Sequence, residues 1–333
     1  MKFHRYVHDF LLLFIFGSVS VVWSIERKQV EEKYFSMPSG RSITLTANEG
    51  NITVHSWERE EVVLKMTKRA WGEDSLEAER LLDAIEVEIR EEMDQLVIRE
   101  LDFREREDRF HFFDLFDSDF WREQGQRNSL VDFELTIPRN VHLRLRCDEG
   151  DVDLSGTQGK LDIDVDEGSV HIENIISEEI RISADEGDVR IQQAQDEDQG
   201  LIKIEMDEGS IWFENGQIGE IDFTTDEGEI VIDHIELNQC WLNTDEGDIE
   251  VSFLPVKDGR YRMETDEGDV ELSLPEDVNL HIALLTGEGR IESDFDMNIQ
   301  RRQEAERVEE TIGREEGTLR IYTGEGYIRL RKR

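Results

Sequence analysis

One phrase recurs through this chain as DVDEGSVHI, SADEGDVRI, EMDEGSIWF, TTDEGEIVI, NTDEGDIEV and ETDEGDVEL: an acidic pair, a glycine, then alternating apolar residues. Aligned on Gly150, Gly168, Gly187, Gly209, Gly228, Gly247, Gly268 and Gly289, the copies stand 18, 19, 22, 19, 19, 21 and 21 residues apart. Seven of them open the tripeptide with Asp, and the eighth has Gly287 there. Two outlying copies, ITLTANEGNITV turning at Gly50 and LRIYTGEGYIRL turning at Gly326, join the set. A period near 20 residues is the signature of a solenoid.

The flanks say which solenoid. Five residues before the opening position sit Leu143, Leu161, Ile180, Ile202, Ile221, Cys240, Tyr261 and Ile282. Three before sit Leu145, Ile163, Ile182, Ile204, Phe223, Leu242, Met263 and Leu284. One before, the column shrinks to Cys147, Val165, Ala184, Met206, Thr225, Thr244, Thr265 and Thr286, so the core should narrow toward the corner. Two after each glycine stands Val or Ile, from Val152 to Ile291. Polar and charged residues fill most of the gaps, which is period two on both sides of the tripeptide and fits no helix. A β-sandwich also has many short strands, but its register would not hold at one tripeptide through eight consecutive copies. The expected fold is all-β, a parallel β-helix or β-roll with about 20 residues per coil, plus one short helix near residues 75–86.

Acidic residues number 80 against 38 Lys and Arg, a formal charge of −42, while apolar residues make up 37% of the chain. The acids alternate with apolar residues instead of forming a tail, so the body is folded under a charged skin. Such a skin repels nucleic acid and anionic lipid and attracts cations.

At the start, Lys2 and Arg5 precede an apolar run from Phe10 to Ile25. It is short for a membrane span of about 20 residues, and Val22 and Ser24 suit cleavage after Ser24. Residues 1–24 read as a signal peptide, with an uncleaved N-terminal anchor as the alternative. Either way the body, residues 36–331, is exported to the periplasm or the cell surface. Membrane contact is expected only through that segment if it stays uncleaved.

The tripeptide has two readings. As a corner, glycine supplies positive φ, Asp accepts a hydrogen bond from a backbone N–H two residues on, and Glu points outward. As a cation ladder, stacking files Asp148, Asp166, Asp185, Asp207, Asp226, Asp245 and Asp266 above one another, with Glu149 to Glu267 in a second file. Like charges about 4.8 Å apart repel by roughly 0.9 kcal/mol even in bulk water. Weak, diffuse calcium association is the cofactor expectation; neither an EF-hand loop nor a glycine-rich nonapeptide array is present.

Cys147 and Cys240 fall in different inward columns, roughly 24 Å apart at the strand spacing, and are expected as buried free thiols. His55, His111, His142, His171, His234 and His281 form no metal-ligand spacing. Trp212 and Trp241 are outward candidates for lateral contact. No residue is assigned a catalytic role, because ladder uniformity is the opposite of a single poised carboxylate pair.

Between residues 58 and 131 the period breaks. Asp74 or Ser75 caps a helix whose apolar face is Leu76, Leu81, Leu82 and Ile85, expected to cover an end or side of the first sheet. Strand-like EVEI and DQLVIREL follow. Phe110, Phe112, Phe113, Phe116, Phe120 and Trp121 then crowd an acidic stretch, either packing on the solenoid or offering a partner contact. Near the other end, the polar MNIQRRQEAERVEETIGREEG reads as a loop or short helix before a closing coil.

The order of SGRSITLTANEGNITVHSW, SLEAERLLDAIEVEI, TIPRNVHLRLRCDEGDVDL and GTLRIYTGEGYIRL resembles the bacterial "putative adhesin" domain of unknown function, related to the head domain of auto-transporter-adhesin-like exported proteins. The resemblance spans roughly residues 36 to 331. It implies a parallel β-helical repeat protein at the cell envelope, and it carries over no catalytic residue. The leading expectation is a non-catalytic envelope module for adhesion, scaffolding or stress sensing, binding an unknown envelope protein or surface polymer. The alternatives are an extracellular carbohydrate-active β-helix enzyme and a weak cation-dependent self-association module.

Overall fold

A computed structural model describes residues 24–38, 40–101, 128–196 and 200–333. Period two becomes strands with one buried face. Before the corner, His142–Glu149, Leu161–Glu167, Glu179–Glu186 and Leu201–Glu208 lie parallel and in register, stacking Leu143, Leu161, Ile180 and Ile202 as one column. After the corner, Val152–Ser155, Val170–Ile176 and Val189–Gln195 build a second parallel sheet, with Val152, Val170, Val189 and Ile211 in line. From Ile211 onward the strands lengthen into Ile211–Glu227, Ile230–Glu246 and Ile249–Glu267, each serving both sheets. Phe213, Phe223 and Phe253 fill the space between them and are fully buried. The fold is the all-β solenoid that the spacing implies.

Six residues after the glycines from Gly150 to Gly228 the chain turns again. Gly156, Asn174, Gln193, Asn215 and His234 take left-handed backbone, with φ of 77°, 54°, 57°, 57° and 55°. Beyond them lies a short third ladder that pairs Ile175 with Ala194 and Ile218 with Leu237. This second corner has no constant residue, because polar residues such as Asn and His enter this region at modest cost.

At both ends the stacking order departs from chain order. Gln95–Glu100 and Ser129–Pro138 pair with Ser42–Glu49 and Ile52–Trp57, which pair on their other side with His142–Glu149 and Val152–Ser155. The coil through Gly50 is therefore second in the stack, and the interrupting segment supplies the first. Likewise the final strand, Thr318–Lys332, is not a closing coil. It slots between Ile249–Leu274 on one side and Leu280–Ser293 on the other. Charge favours that place: Arg329 meets Asp269 at 2.8 Å and Arg331 lies 3.5 Å from Glu292, so a basic strand sits between two acidic ones.

The ends are closed by antiparallel pairing. Ile25–Ser36 pairs with Glu61–Gly72, which pairs with Ser129–Pro138, while Val87–Glu91 pairs with Gln95–Glu100. At the far end, the polar stretch expected as a loop or helix is instead a hairpin, Gln300–Arg302 with Ala305–Ile312, laid against Leu280–Thr286. It reads as polar because only one face is covered: Val308 enters the core, and Glu306 accepts a 2.8 Å hydrogen bond from the Ile291 backbone. Covered ends withhold the unpaired edges on which parallel stacks would otherwise grow.

The helix spans Ser75–Ala84, with Asp74 accepting from the backbone N–H of Leu76 and Glu77 at 2.8 and 2.9 Å. It packs on Glu61–Gly72 and Ile25–Ser36. Leu81, Leu82 and Ile85 are buried as expected, joined by Ala78, but Leu76 is 56% exposed. At 100° per residue, Leu76 stands roughly 160° around the helix from Ala78, away from the covered stripe. Leu81→Ala should therefore cost about 2–4 kcal/mol, and Leu76→Ala should stay within about 0.5 kcal/mol. Urea denaturation midpoints measure both.

Candidate functional site

The Asp-Glu-Gly corners stack into a ridge along the molecule. Their glycines have φ between +134° and +159° from Gly150 to Gly289, outside the usual range of residues with a side chain. Packing adds a second, stronger reason. A Cβ on Gly228 would overlap the carbonyl oxygen of Gly209, one on Gly247 that of Gly228, and one on Gly268 that of Gly247. The relation runs through Gly150, which abuts Gly50, and through Gly326 and Gly289 at the far end.

Two hydrogen-bond ladders line the glycine file. Thr225, Thr244 and Thr265 donate their hydroxyls to the carbonyls of Gly209, Gly228 and Gly247 at 3.2, 3.1 and 3.1 Å. Thr323 and Thr286 do the same to Gly268 and Gly326. The narrowing third column is thus a hydrogen-bonding column in the later coils. The second ladder corrects the expectation for the corner carboxylate. The side-chain acceptor is the residue after the glycine, and it serves the next coil: Asp151 accepts from Ser169 N–H at 3.0 Å, Asp188 from Ser210 at 3.1 Å and Asp248 from Asp269 at 2.8 Å. A carboxylate at that place reaches one strand spacing sideways more readily than back along its own strand. The signal was in the sequence, as Asn51, Asp151, Asp188, Asp248 and Asp269 all follow a corner glycine.

The glutamates stand in direct register. Glu149, Glu167, Glu186, Glu208, Glu227, Glu246 and Glu267 form one file, extended by Glu49 at one end and by Glu325 and Glu288 at the other. Of the aspartates, Asp148 and Asp166 are partly covered, and Asp185, Asp207, Asp226, Asp245 and Asp266 are exposed. Arg146 draws the first two together, lying 3.4 Å from Asp148, 3.7 Å from Asp164 and 3.8 Å from Asp166. Crowding is felt at Glu229, whose carboxyl is raised above its ordinary range by burial and by Glu250 and Asp248. The files run side by side. Among the described residues, no three His, Cys, Asp or Glu side chains converge as a metal centre would need.

The remaining sequence candidates are spread over the surface or the core. His142 Nδ1 accepts from Lys160 N–H at 3.1 Å, His171 meets Glu173 at 2.9 Å, and His55 meets Ser155 at 2.8 Å. His234 sits at the second corner beside Asp233, and His281 beside Thr311. Trp212 and Trp241 lie outward under the guanidiniums of Arg190 and Arg262, at 4.8 and 5.2 Å. Cys147 and Cys240 are buried free thiols, and burial pushes Cys147 up to about 12. Tyr261, in an otherwise aliphatic column, accepts from Val256 N–H and donates to Leu237 O. The cluster Phe110, Phe112, Phe113, Phe116, Phe120 and Trp121, His111, and the N-terminal segment up to residue 23 lie outside the described residues. No helix among the described residues is long and apolar enough to cross a membrane.

The profile of a family described as Toastrack DUF4097 matches residues 135–331. No curated protein matches the chain. Among solved structures it is similar to a "putative adhesin" from Parabacteroides distasonis, at 8% identity and TM-score 0.44, over 90% of this chain and 97% of that one. It is similar also to a "putative adhesin" from Bacteroides fragilis, at 10% identity and TM-score 0.41, over 91% and 97%. A "putative cell adhesion protein" from Clostridium sporogenes matches at 11% identity and TM-score 0.26, over 92% and 100%.

Two outcomes follow from the ridge. Gly228→Ala should destabilise by about 3 kcal/mol, joining backbone strain to overlap with a carbonyl that cannot move alone; chemical denaturation measures it, and an unchanged midpoint contradicts the packing argument. Raising NaCl from about 0.01 to about 0.5 M should raise the melting temperature, because screening weakens repulsion along the files. Calcium at matched ionic strength separates the two readings of the ladder: equal melts mean diffuse charge, and a further rise means a bound ion.

Proposed function

The chain belongs to the Toastrack DUF4097 family, and on that footing we propose that it is a non-catalytic binding module of the cell envelope, used for adhesion or scaffolding. The observation that carries this reading is the equivalence of its corners. From Glu49 to Glu288 the acids repeat in register, coil after coil. Hydrolysis of a glycosidic bond needs two carboxylates made different by their surroundings, and a ladder of equivalent acids works against that. A stiff stack with covered ends instead presents long side faces at fixed spacing, which suits lateral binding.

The proposal includes export, with residues 1–24 as signal or anchor and the body in the periplasm or at the cell surface. It also gives the aromatic cluster Phe110–Trp121 the part of a partner contact, toward an envelope protein or surface polymer. Its position supports this. In sequence, residues 102–127 connect Gln95–Glu100 with Ser129–Pro138, the two strands of the outermost coil. The unbroken glutamate file favours a second, weaker reading, cation-dependent self-association, which the calcium melts address.

Deleting residues 108–122 tests the partner contact. The shortened chain should keep its melting temperature and lose a partner recovered from envelope fractions by the full chain. An unchanged set of recovered partners with folding intact removes the aromatic cluster from the proposal. Release of reducing ends from extracellular polysaccharides by the pure protein would overturn the non-catalytic reading itself.

A further inference from the structure

Many basic side chains on this acidic solenoid are matched to nearby acids, along a strand or across to its neighbour. On the outer face of the first sheet, Arg144 meets Asp162 at 2.8 Å, Lys160 meets Glu179 at 2.9 Å, and Arg181 meets the same Glu179. Near the far end the matching is incomplete at Arg320. Trp241, Arg262, Arg320 and Ala283 stand in one cross-strand row, and Glu264, Tyr322, Leu285 and Arg307 in the row beside it. Ala283 is a short side chain between Arg320 on one strand and Glu309 on the other. The resulting dip is a shallow cleft of about 420 Å³, within the range of ligand sites.

Three guanidiniums, Arg262, Arg307 and Arg320, line this cleft with Glu264, and Glu309 stands across from Ala283 at its edge, a local charge of +1 on a chain of −42. Arg262 is paired with Glu264 at 2.6 Å, and Arg307 with Glu309 just outside the cleft. Arg320 is exposed and has no acidic partner among the described residues. Trp241 is 52% exposed and Leu285 41%, with Tyr322 half-buried between them. A free guanidinium fork, a second fork lying over an indole, and flat apolar surface on a concave face form a composition enriched at binding sites.

We infer that this cleft binds a carboxylate-bearing sugar unit of an acidic polysaccharide. The inference deepens the binding-module reading and rests on it for its biological setting. The Arg320 fork takes the carboxylate through two parallel N–H···O bonds. The Tyr322 ring and the exposed Leu285 side chain take the apolar face of the sugar ring, and the open rows let a chain run on across the coils. An extended acidic peptide fits less well. It gains its affinity from backbone pairing at a sheet edge, and here the adjoining edge is already taken by Ala305–Ile312.

The surrounding charge predicts an unusual salt dependence. At 0.01 M salt the Debye length is about 30 Å, so the whole acidic body repels a polyanion; at 0.15 M it is about 8 Å, and the short-range contacts remain. Binding of polygalacturonate to the full chain, followed by calorimetry, should therefore strengthen between those concentrations, where adventitious cationic binding would weaken. Arg320→Gln and Tyr322→Ala should each lose about tenfold in affinity. Arg144→Gln, on the same sheet but matched to Asp162, should lose nothing. Neutral dextran should not bind. Equal affinity of the Arg320→Gln protein, or no polygalacturonate binding at either salt, overturns the site. Equal binding of dextran sulfate overturns the carboxylate assignment, and equal binding of poly-L-glutamate overturns the sugar assignment. Retained capture of envelope partners by a chain that fails with polygalacturonate separates this failure from failure of the binding-module reading.

Discussion

The carbonyl oxygen of one corner glycine lies where the next would carry its Cβ. That contact sets the rest of the molecule. It lets successive coils close to one strand spacing at the sharpest bend in the chain, where a side chain would hold them apart. Backbone hydrogen bonding then passes through the corner without a break, as Gly228 N–H to Glu246 O and Gly247 N–H to Glu267 O, both at 2.9 Å. Threonines just inside the bend use the remaining capacity of the glycine carbonyls, and the carboxylate just after it ties each coil to its neighbour. Register at the corner fixes the columns on both sides, because side-chain period is two and a slip of one residue would turn every column outward.

The same close stacking has an electrostatic consequence. Acids at equivalent positions must file at the strand spacing, and water outside the ridge is the medium in which such files are least costly. The chain places cations where stacking would otherwise concentrate charge. Arg146 bridges three aspartates, and Arg329 and Arg331 enter between acidic strands. Arg320, between Arg262 and Ala283, has no such partner among the described residues and opens onto the cleft.

The sequence alone determined the solenoid, its period, the inward columns, the corner at each glycine and a helix starting at Asp74 or Ser75, of which the structure chose Asp74 as the cap. Each rests on interactions between residues close in the chain or at equivalent places in successive repeats, so periodicity displays them. Only tertiary structure decided the order of the coils at the two ends, the hairpin at Gln300–Ile312, the exposure of Leu76 and the cleft around Ala283. These depend on which strand pairs with which across long separations. Strands of the same pattern can satisfy one another equally well on backbone grounds, and the choice falls to side chains such as Arg329 and Glu306 that meet their partners only once the stack has closed.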